Sequence, residues 1–353
     1  MKKTPLYDLH VDFGAKLVDY AGFLMPIQYE GVSVEHNCVK NNVGVFDVSH
    51  MGEFLIYGKK SESFLQSVLS NDISILQPGQ AQYNCIPNDN GGIVDDLILY
   101  KLDINKYMLV VNASNIEKNI DFLCSKNKNM VNIDNLSDIY SLISVQGPNS
   151  LNVLEKVFEL ELVDLKYYCF LKYEDIIISN TGYTGCGGYE IYCKNEDAVG
   201  LWNNIFEAGS EFNIKPIGLA ARDTLRLEMG FCLYGNELND EISPIEAGLS
   251  WITKTNKIFT SSSLFKRQKE VGVNKKLIGF EMLEKAIPRN GYAIYSSEKR
   301  KIGIVTSGTM SPSLKKGIGL GYVKYSFSNL NNKIFIEIRG NMKQALIVKT
   351  PFK

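Results

Sequence analysis

The spacing of apolar and polar residues changes its period many times along this chain, and each change marks a candidate element. The pattern predicts a helix at 34–41, with Ser33 as its N-cap, and another at 61–69 that opens on Ser and Glu. Between them Gly52–Tyr57 reads as a strand. Residues 81–87 and 92–101 read as two strands joined by Asn88-Asp89-Asn90-Gly91-Gly92, whose Asn and Gly tolerate φ > 0 and so suit a hairpin turn. A strand at 107–112 precedes a helix near 114–124, and Gly147-Pro148 leads into a helix at 149–158. Strands at 173–179 and 189–193 flank a Gly-rich connection, and helices follow at 196–208 and at Leu219–Met229. The regular βαβα rhythm of a doubly wound sheet is missing.

The character of the chain changes near Thr253. Residues 253–263 are polar, Ser263 stands as the cap of a short basic helix at 264–270, and 272–276 reads as a connector. Beyond it, 277–349 carries about six strand patterns with turns at 298–301 and 329–333 and no helix. That predicts a small all-β C-terminal domain closed as a barrel.

Composition narrows the class. At roughly 150 residues per domain, 353 residues allow two or three domains. A hydrophobic share of 45% against 22% charged excludes wholesale disorder. The 38 basic and 39 acidic residues nearly cancel, so no global field draws the chain to nucleic acid or an anionic membrane, and an anionic ligand must be met by local charge. Only six basic residues are arginine, and two of them, Arg222 and Arg226, stand four apart. Seven cysteines without a C-x-x-C pair read as reduced core thiols in a cytoplasmic protein. The three histidines fall in the first fifty residues and never at i,i+4 spacing, which disfavours a His-based metal site. No signal peptide follows Lys2-Lys3, and no apolar run reaches the ~18 residues that span a bilayer.

Three constellations carry candidate chemistry. In Gly91-Gly92-Ile93-Val94-Asp95-Asp96-Leu97-Ile98-Leu99-Tyr100, strand alternation sets Asp95 beside Ile93 and Leu97, and Asp96 beside Val94, Ile98 and Tyr100. Whichever face is covered, one carboxylate enters apolar surroundings, unless nearness to the turn keeps both wet. In Thr181-Gly182-Tyr183-Thr184-Gly185-Cys186-Gly187-Gly188-Tyr189-Glu190, the glycines match no phosphate-loop spacing, and a strand follows instead of a helix N-terminus. A tight loop that lets backbone approach a flat ligand fits better. Glu190 is either the reader of an amidine-like ring edge or an exposed strand residue. Arg222 and Arg226, one turn apart, are balanced by Asp223 or Glu228, or by a bound carboxylate.

Together these segments closely resemble the T-protein family of the glycine cleavage system, the tetrahydrofolate-dependent aminomethyltransferases. The likeness extends to Val45-Phe46-Asp47-Val48-Ser49-His50-Met51-Gly52-Glu53, Val111-Asn112-Ala113-Ser114-Asn115, Leu233-Tyr234-Gly235, Ile287-Pro288-Arg289-Asn290-Gly291-Tyr292 and Thr306-Ser307-Gly308-Thr309-Met310-Ser311-Pro312-Ser313. Phe23 stands where many relatives have Trp, and Cys186-Gly187 replaces an acidic pair common in the Gly-rich loop. The resemblance implies an α+β class: a three-domain, cloverleaf-like folate-binding aminomethyltransferase fold with a C-terminal β-barrel. Its domains would be 1–52 plus 137–245, 53–136 plus 246–274, and 275–353. It implies transfer of the one-carbon unit from the aminomethyl-loaded lipoyl arm of an H-protein to tetrahydrofolate. It assigns Asp96 as the catalytic acid, placed at the folate N5/N10 edge, and Glu190 to the pterin's amino-pyrimidine edge. Arg222, Tyr183, Tyr83, Asn112, Met51, Tyr100 and Trp251 would complete the folate site, with no metal. The competing reading is a folate-binding relative of iron–sulfur cluster maturation, whose K-G-C-Y-x-G-Q-E-like motif is missing here.

Overall fold

The computed structural model describes residues 1–128 and 130–352. Its elements mix helix and strand, and two of them, the strand Gly52–Tyr57 and the helix Leu219–Met229, have the bounds their residue patterns predict. Other ends differ for local reasons. The first long helix is Val32–Asn41, entered from Gly31 at φ 132°, so Ser33 lies inside its first turn and does not cap it. Likewise Ser263 lies inside Ser262–Val271, which Ser261 precedes in the left-handed region. The stretch 114–124 begins as a 3-10 turn, Ala113–Asn115, before the helix Ile116–Lys126. The stretch 173–179 is a turn plus a strand: Phe170–Tyr173 ends there, Glu174 takes φ 52°, and Ile176–Ser179 returns antiparallel. An early hairpin, Lys16–Tyr20 with Phe23–Gln28, turns at Ala21-Gly22 and went unread in the sequence, as did the core strands Gly44–Asp47 and Tyr140–Gln146.

The chain divides into two compact units. One comprises Met1–Phe64, Ile75–Gln82 and Leu97–Leu225. It contains a six-stranded sheet in the order Phe170–Tyr173, Ile176–Ser179, Gly188–Lys194, Tyr140–Gln146, Gly44–Asp47, Lys215–Pro216. The period of two explains how this sheet separates core from site. Ile191 and Cys193 pack with Val153, Leu154 and Trp202 of the helices Ser150–Phe158 and Ala198–Ala208. Tyr192 faces the other way, into a second core with Tyr100, Met108, Val110, Ala221 and Leu225. Gly52–Tyr57 pairs with Lys106–Val111 and with Asn132–Asn135, and Lys106–Val111 pairs in turn with the strand Ile93–Asp103.

The other unit comprises Leu65–Ser74, Tyr83–Asp96 and Arg226–Lys353. Its C-terminal part is a closed six-stranded barrel, in the order Lys275–Met282, Gly317–Lys324, Lys301–Met310, Ala293–Tyr295, Lys333–Ile338, Asn341–Val348, as the all-β pattern predicts. Ile278, Phe280, Ile294, Val305, Ile336 and Ile347 fill it. Arg226 is 1% exposed and donates to Glu237 (2.8 Å), to Ser307 Oγ (2.9 Å) and to the Phe231 carbonyl (2.9 Å). Glu228 instead accepts from Ser311 and Ser313. Glu237, which the local pattern did not offer, is thus a buried partner of Arg226. Four of the cysteines are buried free thiols (Cys38, Cys85, Cys193 and Cys232), whereas Cys124 is exposed.

Candidate active site

In the barrel-containing unit the site begins at the hairpin turn. Asn88 Oδ1 accepts from the N–H groups of Asn90 and Gly92, which closes the turn with Gly91 at φ 86°. Gly92 permits a close approach that no side chain would allow, since a Cβ there would lie 1.7 Å from the Asp240 carbonyl oxygen. The strand that leaves this turn is covered on both faces, with Val94 and Asp95 as enclosed as Ile93 and Leu97. Asp95 is fully buried, whereas Asp96 is half-buried and accepts a 2.8 Å hydrogen bond from the Tyr83 hydroxyl. Burial, and next the neighbouring Asp96 charge, push the Tyr83 phenol far up, so it stays a donor. The Tyr83 ring stacks on Trp251 with centroids 6.0 Å apart, and Trp251 is 60% exposed.

In the first unit a second polar group forms around the Gly-rich loop. The Gln146 side chain organises it, donating to the carbonyls of Thr181 and Tyr189 and accepting from Thr184. Gly182 and Gly188 make room for this amide: a Cβ at Gly182 would meet its Oε1 at 2.1 Å. These two glycines thus admit the chain's own side chain, where the sequence suggested approach to a flat ligand. Glu190 Oε2 accepts from Thr181 Oγ1 at 2.6 Å, and Thr181 Oγ1 lies 3.2 Å from the hydroxyl of the fully buried Tyr100, which is 2.9 Å from that of Tyr192. Burial raises the Glu190 carboxyl above its ordinary value, opposed by the Thr181 hydrogen bond and the Arg222 charge. The Arg222 guanidinium lies over the Tyr183 ring, 4.4 Å from its centroid. Met51 and Asn112 are half-buried, Met51 packing against the core that holds Tyr100.

Several residues that build this group carried no signal in the sequence. Glu35, fully buried on the Val32–Asn41 helix, accepts from the N–H groups of Tyr29, Gly31 and Gly218. The last of these, at 2.7 Å, fixes the start of the helix that carries Arg222. His36 Nδ1 and Thr224 Oγ1, one turn further on, are hydrogen-bonded at 2.9 Å. Asp47 gathers Thr4, His10 and the Ser49 N–H, and His10 reaches the Tyr29 hydroxyl with its other ring nitrogen. Beside Met51, His50 is buried and neutral, its pKa pushed down to about 4 mainly by burial. Glu53 is also fully buried, and among the described residues neither of its carboxyl oxygens has a hydrogen-bond partner. Burial raises its pKa well above the usual carboxyl value. No group of three His, Cys, Asp or Glu among the described residues is placed to hold a metal ion, and no helix among them is long and apolar enough to cross a membrane.

A closed C-terminal barrel in one unit and a mixed sheet in the other, each with its own polar group, define a class of protein, and comparison identifies it. Residues 6–257 match the family model of the GCVT N-terminal domain, and residues 275–353 match that of the glycine cleavage T-protein C-terminal barrel domain. The chain belongs to the glycine cleavage T-protein family. It is 57% identical to an aminomethyltransferase of Flavobacterium psychrophilum, covering 100% of this chain and 99% of the relative. It is 52% identical to an aminomethyltransferase of Bacteroides fragilis over the whole of both. Among solved structures, the glycine cleavage system aminomethyltransferase T from Bartonella henselae superposes with a TM-score of 0.95 at 32% identity, covering 100% of this chain and 98% of that one. The chain is accordingly an aminomethyltransferase of glycine cleavage, and the iron–sulfur maturation alternative is not favoured.

Proposed function

We propose that this chain takes the aminomethyl group from the lipoyl arm of an H-protein and passes its carbon to tetrahydrofolate, giving 5,10-methylenetetrahydrofolate, ammonia and the dihydrolipoyl carrier. The observation that carries this reading is the Asp96 carboxylate, half-buried on the hairpin strand and oriented by the Tyr83 hydroxyl. Tetrahydrofolate supplies the nucleophilic nitrogen edge. Asp96 orients that edge, takes up a proton as the nitrogen attacks, and favours positive charge developing on the transferred carbon. The two N–H hydrogens lost from the folate edge end on the departing nitrogen and sulfur, so the transfer needs no oxidant.

The donor set suits a reduced pterin. Thr181 engages only Oε2 of Glu190, and the carboxyl as a whole can accept two N–H groups from an amino-pyrimidine edge. Arg222 and Tyr183 present a stacked cation and ring, and Tyr100, Asn112 and Met51 border the same reading, with Trp251 beside Tyr83. The proposal includes the three-part division into 1–52 plus 137–245, 53–136 plus 246–274, and 275–353, supported by the barrel's first strand starting at Lys275. It also places the enzyme in the cytoplasm, in keeping with seven free cysteines.

The test is ammonia release from aminomethyl-loaded H-protein with and without tetrahydrofolate. Asp96→Asn is expected to keep folate binding and lose about 10²–10⁴-fold in turnover, the range set by positioned acid–base groups. Retained turnover removes Asp96 from the chemistry, and folate-independent release removes the co-substrate.

A further inference from the structure

Glu53 is a buried acid that the transfer step does not use. The sheet register sets it beside Val110, and Val110 beside Ile98. Leu55, Met108 and Tyr100 form the next row on that face. Alternation turns the face toward the core that contains Tyr100, Met108, Val110 and Tyr192, with Met51 and Ile98 packed against it. Burial, and after it Tyr100, Glu190 and Glu53, push the Tyr192 phenol far up. Met51 stands two residues before Glu53, and the extended Asn112 two residues after Val110. Glu53 thus occupies the middle of the face that presents Met51, Asn112 and Tyr100.

These surroundings suit an acid and not its anion. Glu53 is 0% exposed, and its two orphaned oxygens have only burial acting on them, which keeps the proton on. Along the same sheet the face carries Asp96 and Tyr100 on one strand, and Tyr57 opposite Lys106 at the far end, where Tyr57 meets the exposed Asp134. Across the core stand Glu190 and Tyr192, and Lys194 of that strand is bonded to Asp175. The helices packed there bring Cys38, whose thiol donates to the Val43 carbonyl, and Arg222, which lies over Tyr183. His50, just before Met51, is neutral. We propose that Glu53 is a positioning residue of the folate site and works only as the uncharged acid. The inference rests on the reading of Met51, Asn112 and Tyr100 as folate contacts. A carboxylate at this position lacks every partner, so it must draw water to itself. Water enters only where the packed face opens, and opening displaces the side chains on which the pterin rests. Folate binding therefore weakens as rising pH removes the Glu53 proton.

The experiment follows folate KM from neutral to alkaline pH in the full-length enzyme, in Glu53→Gln and in Glu53→Met, with aminomethyl-loaded H-protein as donor. Loss of one proton is expected to raise KM in the unaltered enzyme by up to about tenfold per pH unit. Both variants lack the ionising group and are expected to lose that rise, with the difference between the enzymes in KM and not in kcat at saturating folate. Glu53→Met also removes the polar atoms, so the test stands even where a buried Gln amide impairs folding. A KM that stays flat in the unaltered enzyme, or a rise that persists in a folded variant, overturns the role. Thermal unfolding gives the parallel check. Because burial holds the folded pKa above the unfolded one, the unaltered chain is expected to lose stability as pH climbs toward the folded value, and the variants to lose that slope. A slope that vanishes while the KM rise remains makes Glu53 structural only, which also overturns the proposal. Failure of the underlying reading is told apart at neutral pH: Met51→Ala and Asn112→Ala with unchanged folate KM remove the folate face itself, whatever Glu53 does.

Discussion

Glu190 and Asp96 are both strand carboxylates among apolar neighbours, and burial gives them different characters. Glu190 sits where desolvation raises its pKa despite the help of Thr181 and the Arg222 charge. Its carboxylate form is the one that accepts two N–H groups, so folate affinity is expected to rise as pH climbs through that raised pKa and to fall as the acid protonates below it. Glu190→Gln removes this titration and presents an amide donor to a donor edge. We expect folate KM to increase about 10–100-fold and to become flat with pH through that pKa, measured by steady-state titration as a function of pH. The anomaly of a carboxylate in each strand was legible from alternation alone. Which of Asp95 and Asp96 stays reachable was not, because both faces of the strand are covered, and only the surrounding chain leaves Asp96 half open.

At the scale of elements, the Leu219–Met229 helix shows how a legible segment depends on an illegible anchor. Its bounds follow from its own residues, but its placement depends on Glu35 and His36, about 185 residues earlier in the chain. Glu35→Gln keeps the size of the side chain and sets an amide N–H₂ against backbone N–H donors. The unsatisfied donor is expected to cost about 1–3 kcal/mol in stability. Because the helix start carries Arg222, folate KM is expected to rise several-fold (of the order one weakened hydrogen bond gives) with kcat at saturation retained. Thermal unfolding together with the KM-against-kcat split checks this; a lowered Tm with unchanged KM leaves Glu35 a purely structural residue. The hairpin is the opposite case. Asn88-Asp89-Asn90-Gly91-Gly92 contains its own turn chemistry, so the sequence identified it without help.

Over the whole molecule, each compact unit is assembled from three separate stretches of chain, and its stability depends on contacts that close long loops. Arg226 and Glu237 illustrate this inside the barrel-containing unit, where the pair is 1% and 0% exposed and Glu237 also takes the Thr306 hydroxyl and the Leu233 N–H. Removing one partner strands a buried charge. Arg226→Met is expected to destabilise the unit by about 3–5 kcal/mol, and Arg226→Met/Glu237→Met to recover much of that loss, both read by denaturant titration.

The sequence by itself determined the local elements and the kind of chemistry. Turn residues, period and composition act over a few neighbours, which is enough to specify a hairpin, a helix or six barrel strands. The strands Gly44–Asp47 and Tyr140–Gln146 escaped it because short runs buried on both faces carry little period of their own. The tertiary structure alone decided who faces whom: that Arg226 joins Glu237 and parts from Arg222, that Gly182 yields to Gln146, and that His50 and Glu53 lie buried in neutral form. Burial and partnership depend on groups brought together from distant parts of the chain, and no local pattern encodes the free energy of those meetings.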